Sequence, residues 1–349
     1  MSNQLSDPLF TLIKSLNKAE KRNFSIYVGR LSQGPETKFL ALFQMMEKQK
    51  KYDEGEIKKK LPIENMTQFA NLKRHLFTQI LISLRLIHTD KHIDLQIREQ
   101  LDFARILYAR GMYMQSLHLL EKIKSTAVAN HQDVLHLEIL EFQKLIETRH
   151  ITRSRQVLNK METLLEETAR RSSITHSTSR LSNLTIQIHG WYIEKGHAIN
   201  EETQEEVKTY FYEQLPKEMN AWQLTFFEKI NLYQAFSWYH YILLDLPSAI
   251  NQTRLWVNLF QANPNIQRQD PDLYLRGLYY LLTFLFLQKD LNEYTIYHRE
   301  LNQFIESNEI NFTFSSNLLA FQYSYLAALN LCFLNKKYED AKKWLMVKK

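Results

Sequence analysis

Six times along the chain, an apolar stretch with helical spacing runs into a turn, and a second amphipathic stretch then opens around a recurring position. In "LYARGMYMQSLHLLEKI", residues 107–123, the turn is at Gly111 and the second stretch carries Ser116. "NLCFLNKKYEDAKKWL", residues 330–345, superposes on it when Ala341 is set on Ser116. That register also places Tyr338 on Tyr113, Cys332 on Leu107 and Leu345 on Leu120. Looser copies put Ser154, Glu201, Ala249 and Tyr294 at the same place. The anchors 116, 154, 201, 249, 294 and 341 are 38, 47, 48, 45 and 47 residues apart, a period near 46. A unit recurring at such a period predicts an array, because one helical hairpin cannot bury its own apolar face and must stack on neighbours.

Composition agrees. The 349 residues contain only seven Gly and seven Pro, well below the roughly 7% and 5% of an average protein, so turns and strand punctuation are scarce. Aromatic residues make up 12% of the chain and fall at helical rather than alternating spacing. The fold class predicted is all-α. Gly111 is expected to close the first helix of its pair in the left-handed conformation that glycine adopts readily. A phosphate loop needs clustered glycines, and no two glycines here lie within four residues of each other.

"FARILYARGMYMQSLHLLEKI" resembles a tetratricopeptide repeat, with Phe103, Ala104, Leu107, Gly111, Tyr113, Ser116, Leu120 and Ile123 at the family's packing positions. The last copy matches fairly and the other four in pattern only. The resemblance implies a right-handed superhelical array of about six long helical hairpins over residues 91–349, with helices longer than those of a repeat of about 34 residues. It also implies a concave groove lined by the first helix of each pair. Counting back from the anchors places Arg98, Arg105, Tyr108, His136, Gln143, Asn183, Asn231, Gln234, Trp238, Tyr241, Arg276, Tyr279, Tyr323 and Asn330 there. Asn, Gln, Arg, Tyr and Trp hydrogen-bond a peptide backbone and offer flat apolar surface, so a non-catalytic scaffold or adaptor for a protein or peptide is the expected function. For Trp238 and Tyr241, packing between repeats is an equal alternative.

Residues 1–90 do not follow the repeat. They carry 15 Lys/Arg against 9 Asp/Glu, whereas residues 91–349 carry 29 of each, so the whole net charge of +6 lies in a basic helical N-terminal domain. A helix is expected to start after Asp7 with Pro8 in its first position, another at the capping-box spacing Asn17–Glu20, and a third after Asp53. A long amphipathic helix follows, with Phe69, Leu72, Leu76, Ile80 and Leu84 inward. A short helix, a turn and a longer basic helix resemble a helix-turn-helix, which gives an alternative function: a DNA-binding transcriptional regulator with a ligand-sensing repeat body. Lys58, Lys59, Lys60, Lys73, Arg74 and Arg85 are its phosphate-contact candidates. "SLNKAEKRNF", "KKYDEGEI" and "ILISLR" also resemble a family of uncharacterised helical proteins, which implies nothing about activity.

No constellation for catalysis stands out. His88 and His92 are four apart without the Glu of a HExxH site, so no metal is expected. The four Glu of "NEETQEEV" suit a helix N-terminus, Cys332 falls at a packing position, and GxSxG is absent. His189, His240 and His298 fall in helical patterns and are expected packed or half-exposed. No cofactor is expected, and the chain is expected not to be an enzyme. One cysteine excludes an internal disulfide and a Cys-based zinc cluster. The longest apolar run, LYYLLTFLFL, has ten residues, against about 20 for a membrane span. No membrane insertion and a cytoplasmic location are expected. The sequence ends at Lys349 inside a second helix without a polar cap, which predicts either a shortened chain or a following segment or partner over that end.

Overall fold

The computed structural model describes residues 7–31, 36–61, 65–90, 92–154, 160–216, 224–308 and 312–345. Among these residues the chain is all-helical and contains no strand. It divides into two compact units, Met1–Asp102 and Phe103–Lys349. The sequence places the change of character at residue 90, whereas the division falls further on, inside helix α6 (Ile93–Ala109).

The first unit packs α3 (Glu36–Lys48) against α1 (Pro8–Ser15) and α2 (Lys18–Leu31), and all three against α5 (Met66–His88), with the short α4 (Glu54–Lys60) on α3. Its caps are those the sequence announces. Asp7 accepts from the N–H groups of Leu9 and Phe10 at 3.0 and 3.1 Å, with Pro8 in the first turn. Asn17 and Glu20 form a reciprocal capping box, and Asp53 accepts from Glu56 N–H at 3.0 Å. Phe69, Leu76 and Ile80 are buried together with Phe24, Leu42, Phe43 and Met46, while Leu72 and Leu84 are half-buried against them.

The second unit continues through α7 (Tyr113–Ala129), α8 (Asp133–Ser154), α9 (Lys160–Lys195), α10 (Glu201–Gln214), α11 (Phe226–Ile242), α12 (Leu246–Gln261), α13 (Pro264–Gln269), α14 (Pro271–Gln288), α15 (Leu291–Asn308), α16 (Phe314–Leu334) and α17 (Tyr338–Leu345). Neighbours along the chain are mostly neighbours in space. α8 lies on α7 and α9, α11 on α9 and α12, α14 on α12, α15 and α16, and α17 on α16. The main core fills the space between α11, α12, α14, α15 and α16, around Trp256, Phe260, Tyr274, Leu281 and Tyr294.

One turn geometry recurs at five of these joints. Gly111, His131, Leu244, Lys289 and Lys336 all have left-handed φ, at 77°, 53°, 60°, 61° and 57°. At each, the residue's own N–H donates to the carbonyl three residues back, and the next N–H donates to the carbonyl five back from itself. The second bond runs Met112 to Leu107, Gln132 to Ala127, Asp245 to His240, Asp290 to Leu285 and Lys337 to Cys332, at 2.9–3.0 Å. This pair of bonds is a Schellman closure, which satisfies carbonyls left over at a helix end. Five residues after each left-handed residue comes the fourth residue of the next helix: Ser116, His136, Ala249, Tyr294 and Ala341. All five are buried, at 0–3% exposure.

Four of the six sequence anchors therefore occupy equivalent places. Ser154 instead ends α8, and Glu201 opens α10 as an exposed first residue, because the joint after Gly196 is longer and is capped by Asn200. His131 and His136 form an equivalent joint that the period of 46 misses. Left-handed backbone costs a residue with a Cβ about 1–2 kcal/mol. Lys289→Gly is therefore expected to stabilise the second unit by about 1 kcal/mol and Gly111→Ala to destabilise it by a similar amount, read from urea unfolding midpoints.

Candidate binding surface

Trp238, in α11, is half-buried at the centre of an aromatic cluster assembled from three helices. His189 and Tyr192 of α9 lie with ring centroids 4.4 and 5.3 Å from its ring, and Tyr280 of α14 meets it edge-on at 5.5 Å. Tyr241, one helical turn on, contacts Trp238 at 5.7 Å, Tyr192 at 5.3 Å and Phe284 at 5.1 Å. The His197 ring nitrogen sits 3.0 Å from the Tyr241 carbonyl. Further along, Tyr279 of α14 stacks on Tyr323 of α16 at 4.2 Å with their planes only 7° apart.

Arg276 reaches this cluster from α14. Its side chain is exposed and hydrogen-bonds the Tyr323 hydroxyl. Burial, and then the Arg276 charge, hold the His189 imidazole below its ordinary range, so His189 is neutral near pH 7. Burial pushes the Tyr241 hydroxyl up to about 12, and its hydrogen bond with Tyr192 adds to this. Asp270 and Asp272 supply negative charge near Arg276 from the start of the same helix. Among the described residues no carboxylate lies within ion-pair distance of Arg276. The surface thus combines flat aromatic faces, neutral polar groups and one cation, with two carboxylates at the start of its helix.

The structure sorts the remaining groove candidates. Asn231 and Gln234 are half-buried on α11, and Asn183 is exposed on α9. Asn231 Nδ2 donates to the Phe227 carbonyl at 2.8 Å, and its own carbonyl accepts from Thr185 at 3.0 Å. Asn330 is tied to the buried Tyr294 hydroxyl. Arg105 is exposed, pairs with Glu138 at 2.9 Å and lies over the Phe142 ring. Tyr108 rests against Tyr113, Phe142 and His150. Arg98 is exposed and belongs to the first unit.

Three candidates turn inward: Tyr323 is 7% exposed, covered by Tyr279, and two others join a polar cluster. Gln143 is 5% exposed and donates to Glu121 at 3.1 Å, and His136 is 1% exposed with a ring nitrogen 3.0 Å from Glu167. Both belong to a polar cluster between α7, α8 and α9, in which Lys124 bridges Glu121 at 2.9 Å and Glu167 at 3.1 Å, and Arg171 pairs with Asp133. Counting along one helix gives a residue's rotation but not which neighbour covers that face, so the solvent-lining expectation fails for Gln143, His136 and Tyr323. The signal for the cluster was the polar spacing 136, 143 and 147 on an otherwise apolar face of α8.

Burial, and then the Arg171 charge, push the His136 imidazole down, against the opposing pull of Glu167. Burial likewise lowers His189, His240 and His298. A lowered folded-state value means the unfolded chain takes up protons first, so the stability these groups contribute is present above about pH 6.5 and is lost as the pH falls below it. The melting temperature is expected to drop from pH 7 to pH 5, and to drop less in His136→Gln, where Glu167, Arg171 and Lys124 no longer face a titrating ring.

The phosphate-contact candidates of the first unit are largely engaged internally. Lys73 pairs with Asp7, donates to Tyr52 at 3.1 Å and lies over the Phe69 ring, with only 21% of its side chain exposed. It faces into the unit because Asp7 and Tyr52 converge on it. Lys58 and Lys60 pair one helical turn back with Glu54 and Glu56, at 2.5 and 2.6 Å. Lys59 is exposed, and the Arg74 guanidinium donates to Asn71 at 3.1 Å.

Comparison with family models, curated proteins and solved structures finds no match to this chain. Among the described residues no group of three or more His, Cys, Asp or Glu is arranged to hold a metal ion. One described helix, α16, is long and apolar enough to cross a membrane by length and composition.

Proposed function

We propose that the protein is a non-catalytic scaffold that binds a protein or peptide along the face shared by α9, α11, α14 and α16. The observation that carries this reading is Trp238, held half-exposed by Tyr192, Tyr241, Tyr280 and His189 beside the exposed Arg276 guanidinium. A rigid aromatic anchor next to an arginine is the arrangement that dominates binding energy at protein interfaces. Asn183, Asn231 and Gln234 on the same helices can hydrogen-bond an extended peptide backbone. The recurrent Schellman joints support a right-handed array of stacked, tetratricopeptide-like hairpins, in which the first helices of successive pairs share one face. A single cysteine fits a reducing, cytoplasmic setting.

A photo-crosslinking amino acid at Gln234 tests the reading directly. Crosslinks to a partner in cell extract are expected from position 234 and not from Asn258, an exposed position on α12. Equal yields from the two positions would remove this face from consideration. The DNA-binding alternative predicts affinity that falls steeply between about 50 and 200 mM salt and is lost in Lys58→Glu with Lys59→Glu. Because Lys58, Lys60 and Lys73 are already paired, no such binding is expected in an electrophoretic shift assay at low salt.

A further inference from the structure

α16 carries no Lys, Arg, His, Asp or Glu over its 21 residues. One side of it packs on α14, α15 and α17. On the other side Phe314, Leu318, Phe321, Tyr325, Ala328 and Cys332 follow one another at intervals of 4, 3, 4, 3 and 4 residues, the heptad spacing of a helix that packs lengthwise on another helix. This stripe is open from Phe314 through Phe321, half-buried at Tyr325 and Cys332, and covered at Ala328, which is 9% exposed. Phe314 is 84% exposed, and Leu318 and Phe321 are each 59% exposed. Scattered apolar residues on a surface are ordinary, but three large apolar side chains exposed in succession along an uncharged helix are not.

We propose that a second copy of this chain docks here, with two α16 helices antiparallel across a two-fold axis near Tyr323. In an antiparallel pair, residues at the two kinds of seam position face each other across the axis. Phe314 then meets Cys332 of the other copy, Leu318 meets Ala328, and Phe321 meets Tyr325. Each large end residue faces a small one, and the two central aromatic residues meet at the axis, where Phe321 and Tyr325 already lie 6.2 Å apart within one chain. The parallel alternative sets Phe314 on Phe314 and Ala328 on Ala328, crowding one end and leaving a gap at the other. A two-fold contact requires a self-complementary patch, and this seam is one. The electrostatics agree, since α16 itself carries no formal charge to lose water and the antiparallel helix dipoles oppose each other favourably.

The area sets the strength. With about 150–250 Å² available per aromatic side chain, the stripe and the flanking Phe333, itself 45% exposed, bury on the order of 500 Å² per copy. That lies at the low end for specific interfaces, so a reversible dimer with a Kd of about 10 μM is expected rather than an obligate one.

Two measurements test this on the full chain. Sedimentation velocity at about 100 μM, roughly ten times the expected Kd, should show mostly dimer for the unaltered protein. Leu318→Glu with Phe321→Glu should weaken association at least 100-fold with unchanged circular dichroism, because both side chains already face solvent. Under mild oxidation Phe314→Cys should give a covalent dimer through the native Cys332 of the other copy, whereas the unaltered protein should not crosslink. A chain that stays monomeric at this concentration overturns the proposal. So does a dimer that survives the double substitution, or one that crosslinks through Cys332 alone. Recruitment of a monomer to phospholipid vesicles through the same stripe would also overturn it.

Discussion

Trp256→Ala is expected to lower the stability of the second unit by about 3–5 kcal/mol, the usual cost of removing a large buried aromatic side chain. Trp256 is fully buried where α12 meets α14, and its ring lies so close to Gly277 that a Cβ there would come within 3.0 Å of Cε2 and 3.1 Å of Nε1. The indole N–H has no hydrogen-bond partner, so its stabilisation is by packing and apolar burial. Gly277 is accordingly the position that allows α14 to approach. Gly277→Leu should destabilise by about 1–3 kcal/mol through overpacking, and by much less in a Trp256→Ala background, where the vacated volume can receive the new side chain. A double-mutant cycle from urea unfolding is expected to give a coupling of about 1–3 kcal/mol. Additive costs would mean that Trp256 does not occupy the space over Gly277.

In the first unit Asp7→Ala is expected to cost about 2–4 kcal/mol. The carboxylate caps α1 through the Leu9 and Phe10 N–H groups and also receives the Lys73 ammonium. Losing the cap costs about 1 kcal/mol, and leaving a half-buried ammonium short of its partner costs about 1–3 more. Tyr52 cannot make up the charge, since burial pushes its hydroxyl up to about 12 and keeps it neutral. Asp7→Asn keeps the capping oxygen and should recover part of the loss. Equal losses in the two variants would assign the whole effect to the charge.

The helices of the first unit, their caps and the inward face of α5 were legible because each rests on local chemistry, whereas Phe103, at a packing position of the repeat pattern, is 45% exposed. Asp7 with Pro8, Asn17 with Glu20, and Asp53 mark helix starts in any context. Gly111 marked its joint because only glycine enters left-handed backbone without cost. The joints at His131, Leu244, Lys289 and Lys336 adopt the same conformation with residues that do not advertise it. They were found only where periodicity happened to land on them, and His131 was passed over. The 36-residue α9 was not anticipated, and Ser154 and Glu201 fell out of register on either side of it.

Charge was read less well than shape. Sequence placed Lys73 among phosphate contacts and Gln143 in a groove, but the partners that turn them inward, Asp7 sixty-six residues away and Glu121 twenty-two away, are brought together only by folding. Trp238 and Tyr241 were open to both readings, and the structure shows why. Each packs against its neighbours and keeps part of its ring exposed.

Under the proposed function a partner binds at Trp238 and Arg276. Peptides selected from a random display library on the unaltered protein should be titrated calorimetrically against Trp238→Ala, Arg276→Glu and the control Asn258→Ala. At least a ten-fold loss of affinity, or about 1.4 kcal/mol, is expected in the first two and none in the third. Peptides that bind all four proteins equally would contradict it.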